Sequence, residues 1–71
     1  MTLNEIVKKH LETQERETYF ANTRENVIHV MTREFCFYLA APGEGRFLCS
    51  FTPNDLIDDS WFICNDEGDP L

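Results

Sequence analysis

The side chains able to do chemistry in this 71-residue chain are two histidines, three cysteines, thirteen carboxylates and six Lys or Arg. His10, His29, Cys36, Cys49 and Cys64 are the soft or borderline metal donors, and no two of them lie two to four residues apart, as zinc pairs do. Asp55, Asp58 and Asp59 do not alternate over a glycine-containing calcium loop, and Asn65 to Asp69 is too short for one. The residue types therefore predict no metal and no cofactor. Two histidines without positional information give no nucleophile–base pair. Adjacent Asp58 and Asp59 point in different directions, and Pro42-Gly43-Glu44-Gly45 puts an acid where a phosphate would sit. On these grounds the chain is expected not to be an enzyme.

Binding is the chemistry that remains. Arg24, Arg33 and Arg46 fall near predicted strand ends, where several could meet at one mouth, and guanidinium forks suit phosphate. Tyr19, Phe20, Tyr38 and Trp61 offer flat surfaces on which a base could stack. A small phosphorylated ligand in a cleft between subunits is the candidate. Asp55 and Trp61 would border it where their turn meets the arginine-bearing loops of a neighbour. Surface solubility for the arginines and core packing for the aromatics stand beside that reading.

The formal net charge is −7, and the acid is uneven. Up to Cys36 five Lys or Arg face six Glu; from Phe37 onward Arg46 alone faces seven Asp or Glu. A duplex binder carries a basic face, so direct nucleic-acid binding is not expected. Acidity favours solubility, or a phosphate-like field that meets nucleic-acid-binding proteins. No apolar run is long enough to span a membrane. The polar start and the three unpaired cysteines predict a reducing cytoplasm with free, mostly buried thiols.

The elements that must position these groups are well marked. Thr2-Leu3-Asn4-Glu5 has the form of a capping box, and Leu3, Ile6, Val7, His10 and Leu11 follow helical spacing, predicting a helix from about Leu3 to Glu15. Strands are expected at 18–21, 27–31, 35–41, 46–51 and 61–64, with a hairpin turn at Pro42–Gly45. The third, apolar at nearly every position, reads as covered on both faces. Thr52-Pro53-Asn54-Asp55 reads as a helix start, with Thr52 as N-cap and Pro53 at the first position. The fold class is α+β in a single domain: one N-terminal helix on a four- or five-stranded antiparallel sheet, a short helical turn before the last strand, and an acidic tail frayed from about residue 66. One helix covers one face of such a sheet. The surplus apolar surface predicts a homo-oligomer.

Asp55-Leu56-Ile57-Asp58-Asp59-Ser60-Trp61, followed by Phe62-Ile63-Cys64-Asn65-Asp66, resembles the end of a family of phage Thoeris anti-defence sponges. That family closes on Asp-Ile/Leu-Leu/Met-Ala-x-Asp-Trp and then alternating acidic and aliphatic residues. Asp55, Leu56, Ile57 and Trp61 agree; Asp58 and Ser60 depart, and no Arg-x-x-Trp stands on the first strand. The resemblance implies a phage-encoded homo-oligomer that sequesters cyclic ADP-ribose-type signals without degrading them. Arginines would hold the phosphates and aromatics the adenine. The rival expectation, from charge alone, is an acidic nucleic-acid mimic that inhibits a host defence protein or a CRISPR complex.

Overall fold

The computed structural model describes residues 1–13, 16–39 and 45–71. The chain runs α1 (Leu3–Thr13), β1 (Thr18–Asn22), β2 (Ile28–Met31), β3 (Cys36–Leu39), β4 (Arg46–Leu48), α2 (Pro53–Ile57) and β5 (Trp61–Cys64). It is an α+β fold, with one five-stranded sheet in the order β4-β3-β2-β1-β5 and every pairing antiparallel. The predicted last helical turn at Gln14–Glu15, the end of the third strand at Ala40–Ala41 and most of the Pro42–Gly45 turn lie outside the described residues.

Both helices start as their sequences dictate. Thr2 and Glu5 exchange hydrogen bonds, the Glu5 N–H donating to Thr2 Oγ1 at 3.3 Å and the Thr2 N–H to Glu5 Oε1 at 3.0 Å. Thr52 and Asp55 repeat the device at α2, with Pro53 in the first turn. On α1, Leu3, Ile6 and His10 are buried, whereas Val7 and Leu11 remain exposed at the edge of the helix–sheet contact. Leu3, Ile6, Phe20 and Trp61 form the core on this face.

Register divides the sheet into two faces. Phe20 lies opposite His29 and Ile63, and His29 opposite Tyr38, so these side chains share the helix-bearing face. Tyr19, Ala21, Val30, Phe62 and Cys64 point to the other. Strand order corrects one expectation: β3 lies next to the edge strand and none of its residues is buried, while β1 and β2 carry the buried positions.

The tail also departs from the reading of a frayed end. The Asn65 N–H donates to the Asp69 carbonyl at 2.9 Å and the Leu71 N–H to the Ile63 carbonyl at 3.1 Å, with Cys64 bridged to Pro70. Gly68 makes the turn possible at φ +91°, and its Cα lies against Ile28 on the face that α1 leaves open. The tail thus covers part of the apolar surface that appeared surplus in the sequence. A Cβ at residue 68 would stand 3.3 Å from Ile28 Cδ1 in a left-handed backbone. Gly68→Ala is therefore expected to destabilise the protein by about 1 kcal/mol or more, read as a lower midpoint in urea unfolding.

Candidate functional site

The two histidines, indistinguishable in sequence, are used in opposite ways. His10 is a structural tie: its Nε2–H donates to the Thr32 carbonyl at 3.2 Å, and its Nδ1 accepts from the Thr18 hydroxyl at 2.7 Å. Both nitrogens are satisfied. His29 is 7 % exposed, and only its Nδ1 has a partner, Cys49 Sγ at 3.2 Å. Its Nε2 is buried without a hydrogen bond. Glu25 Oε2 stands 3.8 Å away on the exposed β1–β2 connection. A buried unpaired polar group costs about 1–3 kcal/mol, so its persistence calls for an explanation.

His29 lines a cleft of about 360 Å³ with Glu25, Tyr38, Cys49, Phe51, Asp55 and Trp61. Aromatic rings build its base. Phe20 stacks on the imidazole at 5.2 Å and 22°, Trp61 meets it edge-on at 5.3 Å and 72°, and Phe51 stands at 88° to Trp61. The Trp61 Nε1–H donates to the Asp55 carbonyl at 3.0 Å, locking α2 to β5 and fixing this wall. Glu25 and Asp55 bring two carboxylates and no cation.

Electrostatics set the protons. Burial holds His29 below the usual imidazole range, outweighing the opposite pull of Glu25. Burial, with Cys36 beside it, pushes the Cys49 thiol far up. The thiol therefore keeps its proton; in the tautomer in which it donates to Nδ1, Nε2–H is an unused donor at the base of the cleft. A protonated thiol on a weakly basic imidazole is a poor nucleophile. Among the described residues no three His, Cys, Asp or Glu side chains are arranged to hold a metal ion, and no helix is long and apolar enough to cross a membrane. All three cysteines are unbridged, with Cys64 buried and Cys36 and Cys49 half-buried.

These shifts give stability a defined pH profile. The folded state binds fewer protons at His29 than the unfolded chain, which titrates near about 6.5. Its contribution is complete above that pH and declines as the pH falls through it. The cysteines act with the opposite sign. Cys36, Cys49 and Cys64 are all raised by burial, so stability declines as pH rises above about 8.5, where unfolded thiols ionise. Thermal midpoints are expected to form a plateau between those limits, and His29→Phe to remove the loss near pH 6.

Of the residues singled out in the sequence, Phe20, Tyr38, Asp55 and Trp61 gather at this cleft. The others do not. Tyr19 points to the opposite face, where Arg46 pairs with Glu17. Arg33, on the β2–β3 turn, borders an apolar groove of about 350 Å³ formed by Val7, Leu11, Phe35 and Leu56. Arg24 is 76 % exposed and sits 3.8 Å from Asp58, in a depression beside the cleft lined by Glu25, Asp55, Asp58 and Asp59. Within one protomer the three arginines therefore share no mouth. The Ser60 N–H, donating to Asp58, holds that carboxyl below the usual range, with Asn22 and Arg24 adding to the effect. Asp58 is a tie between the β1–β2 turn and the α2–β5 link, more than a solvated turn acid.

The binding residues that the sequence suggests do not include His29, Cys49 or Glu25. The signal available was a lone polar side chain in the β-branched run Val27–Met31, on the same strand face as Met31. Comparison with protein-family models, characterised proteins and solved structures gives no match.

Proposed function

We propose that this protein is a non-enzymatic binding protein that sequesters a small cyclic nucleotide-type signal, with the base held in the His29 cleft. The observation that carries the reading is the buried His29 Nε2, without a hydrogen bond, within an aromatic pocket rimmed by carboxylates. A flat ring that offers an acceptor nitrogen beside an exocyclic amino group, as adenine does, fits both demands. The ring nitrogen accepts from Nε2–H, the amino group donates to Glu25, and Phe51, Trp61 and Tyr38 supply stacking area. Glu25, half-exposed, is the side chain that moves to admit it.

The site has the character of a trap. It offers no activated nucleophile, which suits stoichiometric capture in place of turnover. With the resemblance of the Asp55–Trp61 stretch in support, the role proposed for such capture is phage anti-defence in the host cytoplasm. Phosphate contacts are then supplied by an arginine of a second subunit in a homo-oligomer, since the acids beside Arg24 repel phosphate. Calorimetric titration with cyclic ADP-ribose isomers and cyclic dinucleotides tests the reading. Saturable heat at micromolar ligand, lost in His29→Phe, is expected; the absence of heat with every ligand would overturn it.

One observation favours a second reading. Glu25, Asp55, Asp58 and Asp59 line one depression against a single arginine, an acidic face suited to a basic protein surface. Capture of a host defence protein that weakens steeply with salt, with no small-molecule heat, is the outcome that reading requires.

A further inference from the structure

We propose that β4 is the strand through which two copies of this chain pair, antiparallel and in a single register, to make one ten-stranded sheet. The inference rests on the homo-oligomer of the preceding section and gives it a surface. The two edges of the sheet differ. The outer side of β5 is occupied by the chain's own tail, through the bridge of Cys64 to Pro70 and the Leu71–Ile63 hydrogen bond. The outer side of β4 carries no backbone partner among the described residues, and Arg46, Phe47 and Leu48 are all exposed.

The phase of the ladder says which groups that edge presents. The Cys49 N–H donates to the Cys36 carbonyl at 2.9 Å, so Cys36 and Cys49 are a hydrogen-bonded pair. Pairs alternate along an antiparallel ladder, which makes Tyr38–Phe47 the next bonded pair and turns the N–H and C=O of Arg46 and Leu48 away from β3. A two-fold axis through Phe47 sets Arg46 of one copy opposite Leu48 of the other, and the converse. All four outward groups on each strand are then satisfied in two doubly bonded pairs. The same register puts Phe47 opposite its symmetry mate in the non-bonded position, where cross-strand side chains come closest.

The side chains suit that geometry. Phe47 is 46 % exposed and stacks on Tyr38 at 5.4 Å and 22°, so an aromatic row Tyr38–Phe47–Phe47–Tyr38 would cross the axis on the helix-bearing face. On the other face Leu48, 64 % exposed, meets the aliphatic stem of Arg46 from the second copy. Charge selects the same edge. Each chain carries −7, yet β3 and β4 contain no Asp or Glu, and Arg46 is the only cation after Cys36. No proline interrupts Arg46–Leu48, so each of its N–H groups can pair. Because Tyr38 also lines the His29 cleft, the pairing sets two clefts on one face, on either side of the axis.

Sedimentation equilibrium over a concentration series, with far-UV circular dichroism to monitor folding, tests the pairing. The unmodified chain is expected at twice the 8.3 kDa mass of one copy. Phe47→Lys and Leu48→Pro are each expected to return it to one copy with an unchanged spectrum, since Leu48 donates nothing to its own ladder. Under mild oxidation Phe47→Cys should give a covalent dimer and Leu48→Cys should not. An unmodified chain that stays monomeric overturns the pairing and the shared oligomer together, while ligand binding by the single cleft is still read by calorimetry. A dimer that persists in both folded variants, with no cross-link in Phe47→Cys, overturns this interface and leaves the oligomer standing.

Discussion

Trp61→Ala is expected to remove a large share of the fold's stability. Trp61 is 2 % exposed, packs on Leu3, Ile6 and Phe20, and donates its indole N–H to the Asp55 carbonyl. Its main-chain N–H also bonds to the Met1 carbonyl at 3.1 Å. Truncating a buried aromatic of this size costs about 3–5 kcal/mol. A chain of 71 residues has roughly 4–11 kcal/mol to lose. Trp61→Phe separates the two roles of the side chain. It keeps most of the apolar area and removes the N–H, so the loss should shrink to about 1–2 kcal/mol. Urea unfolding followed by circular dichroism distinguishes the two. Equal losses in both variants would mean that the bond to Asp55 matters more than the packing.

His29→Phe is expected to move stability and binding in opposite directions. The imidazole carries one buried nitrogen with no hydrogen-bond partner, and its neighbours Phe20, Phe51 and Trp61 are all aromatic. Phenylalanine keeps the stack on Phe20 and removes the unsatisfied group, which should stabilise the fold by about 1 kcal/mol, somewhat offset by the acceptor lost to the Cys49 thiol. The same change removes the donor on which ligand recognition depends. A destabilised variant would identify His29 as a structural tie like His10. A variant that is stabilised and still binds would move the site elsewhere. Strain that stability alone would remove, retained at one position, is the pattern expected of a functional group.

Local signals carried most of the fold. Both capping boxes, the proline in the first turn of α2 and the strand at Trp61–Cys64 lie where side-chain chemistry places them, because each depends on residues within four positions. Strand order does not. Nothing in the apolar run Phe35–Leu39 says that it lies beside the edge strand, and its composition alone suggests the centre. The tail illustrates the same limit: Asn65 to Asp69 is acidic and turn-forming by composition, but its place depends on Gly68 meeting Ile28 from the β2 strand. The cleft was half legible. Asp55 and Trp61 stood out by punctuation, and Phe20 and Tyr38 by type. Cys49 reaches His29 across twenty residues and two strand pairings, so no spacing rule relates them. Within one protomer the arginines lie apart, because proximity to strand ends does not fix the face or the end of the sheet, and Glu17 and Asp58 engage two of them separately.

The central claim is that His29 offers an unused Nε2–H to a ligand, and nitrogen-15 NMR of the two imidazoles tests it most directly. At neutral pH long-range ¹H–¹⁵N spectra should show His29 as the neutral ring protonated on Nε2. Adding a cyclic adenine nucleotide should shift the His29 nitrogens, while those of His10, already bonded to Thr18 and Thr32, stay in place. A His29 ring protonated on Nδ1, or His29 signals unmoved at saturating ligand, would contradict the account.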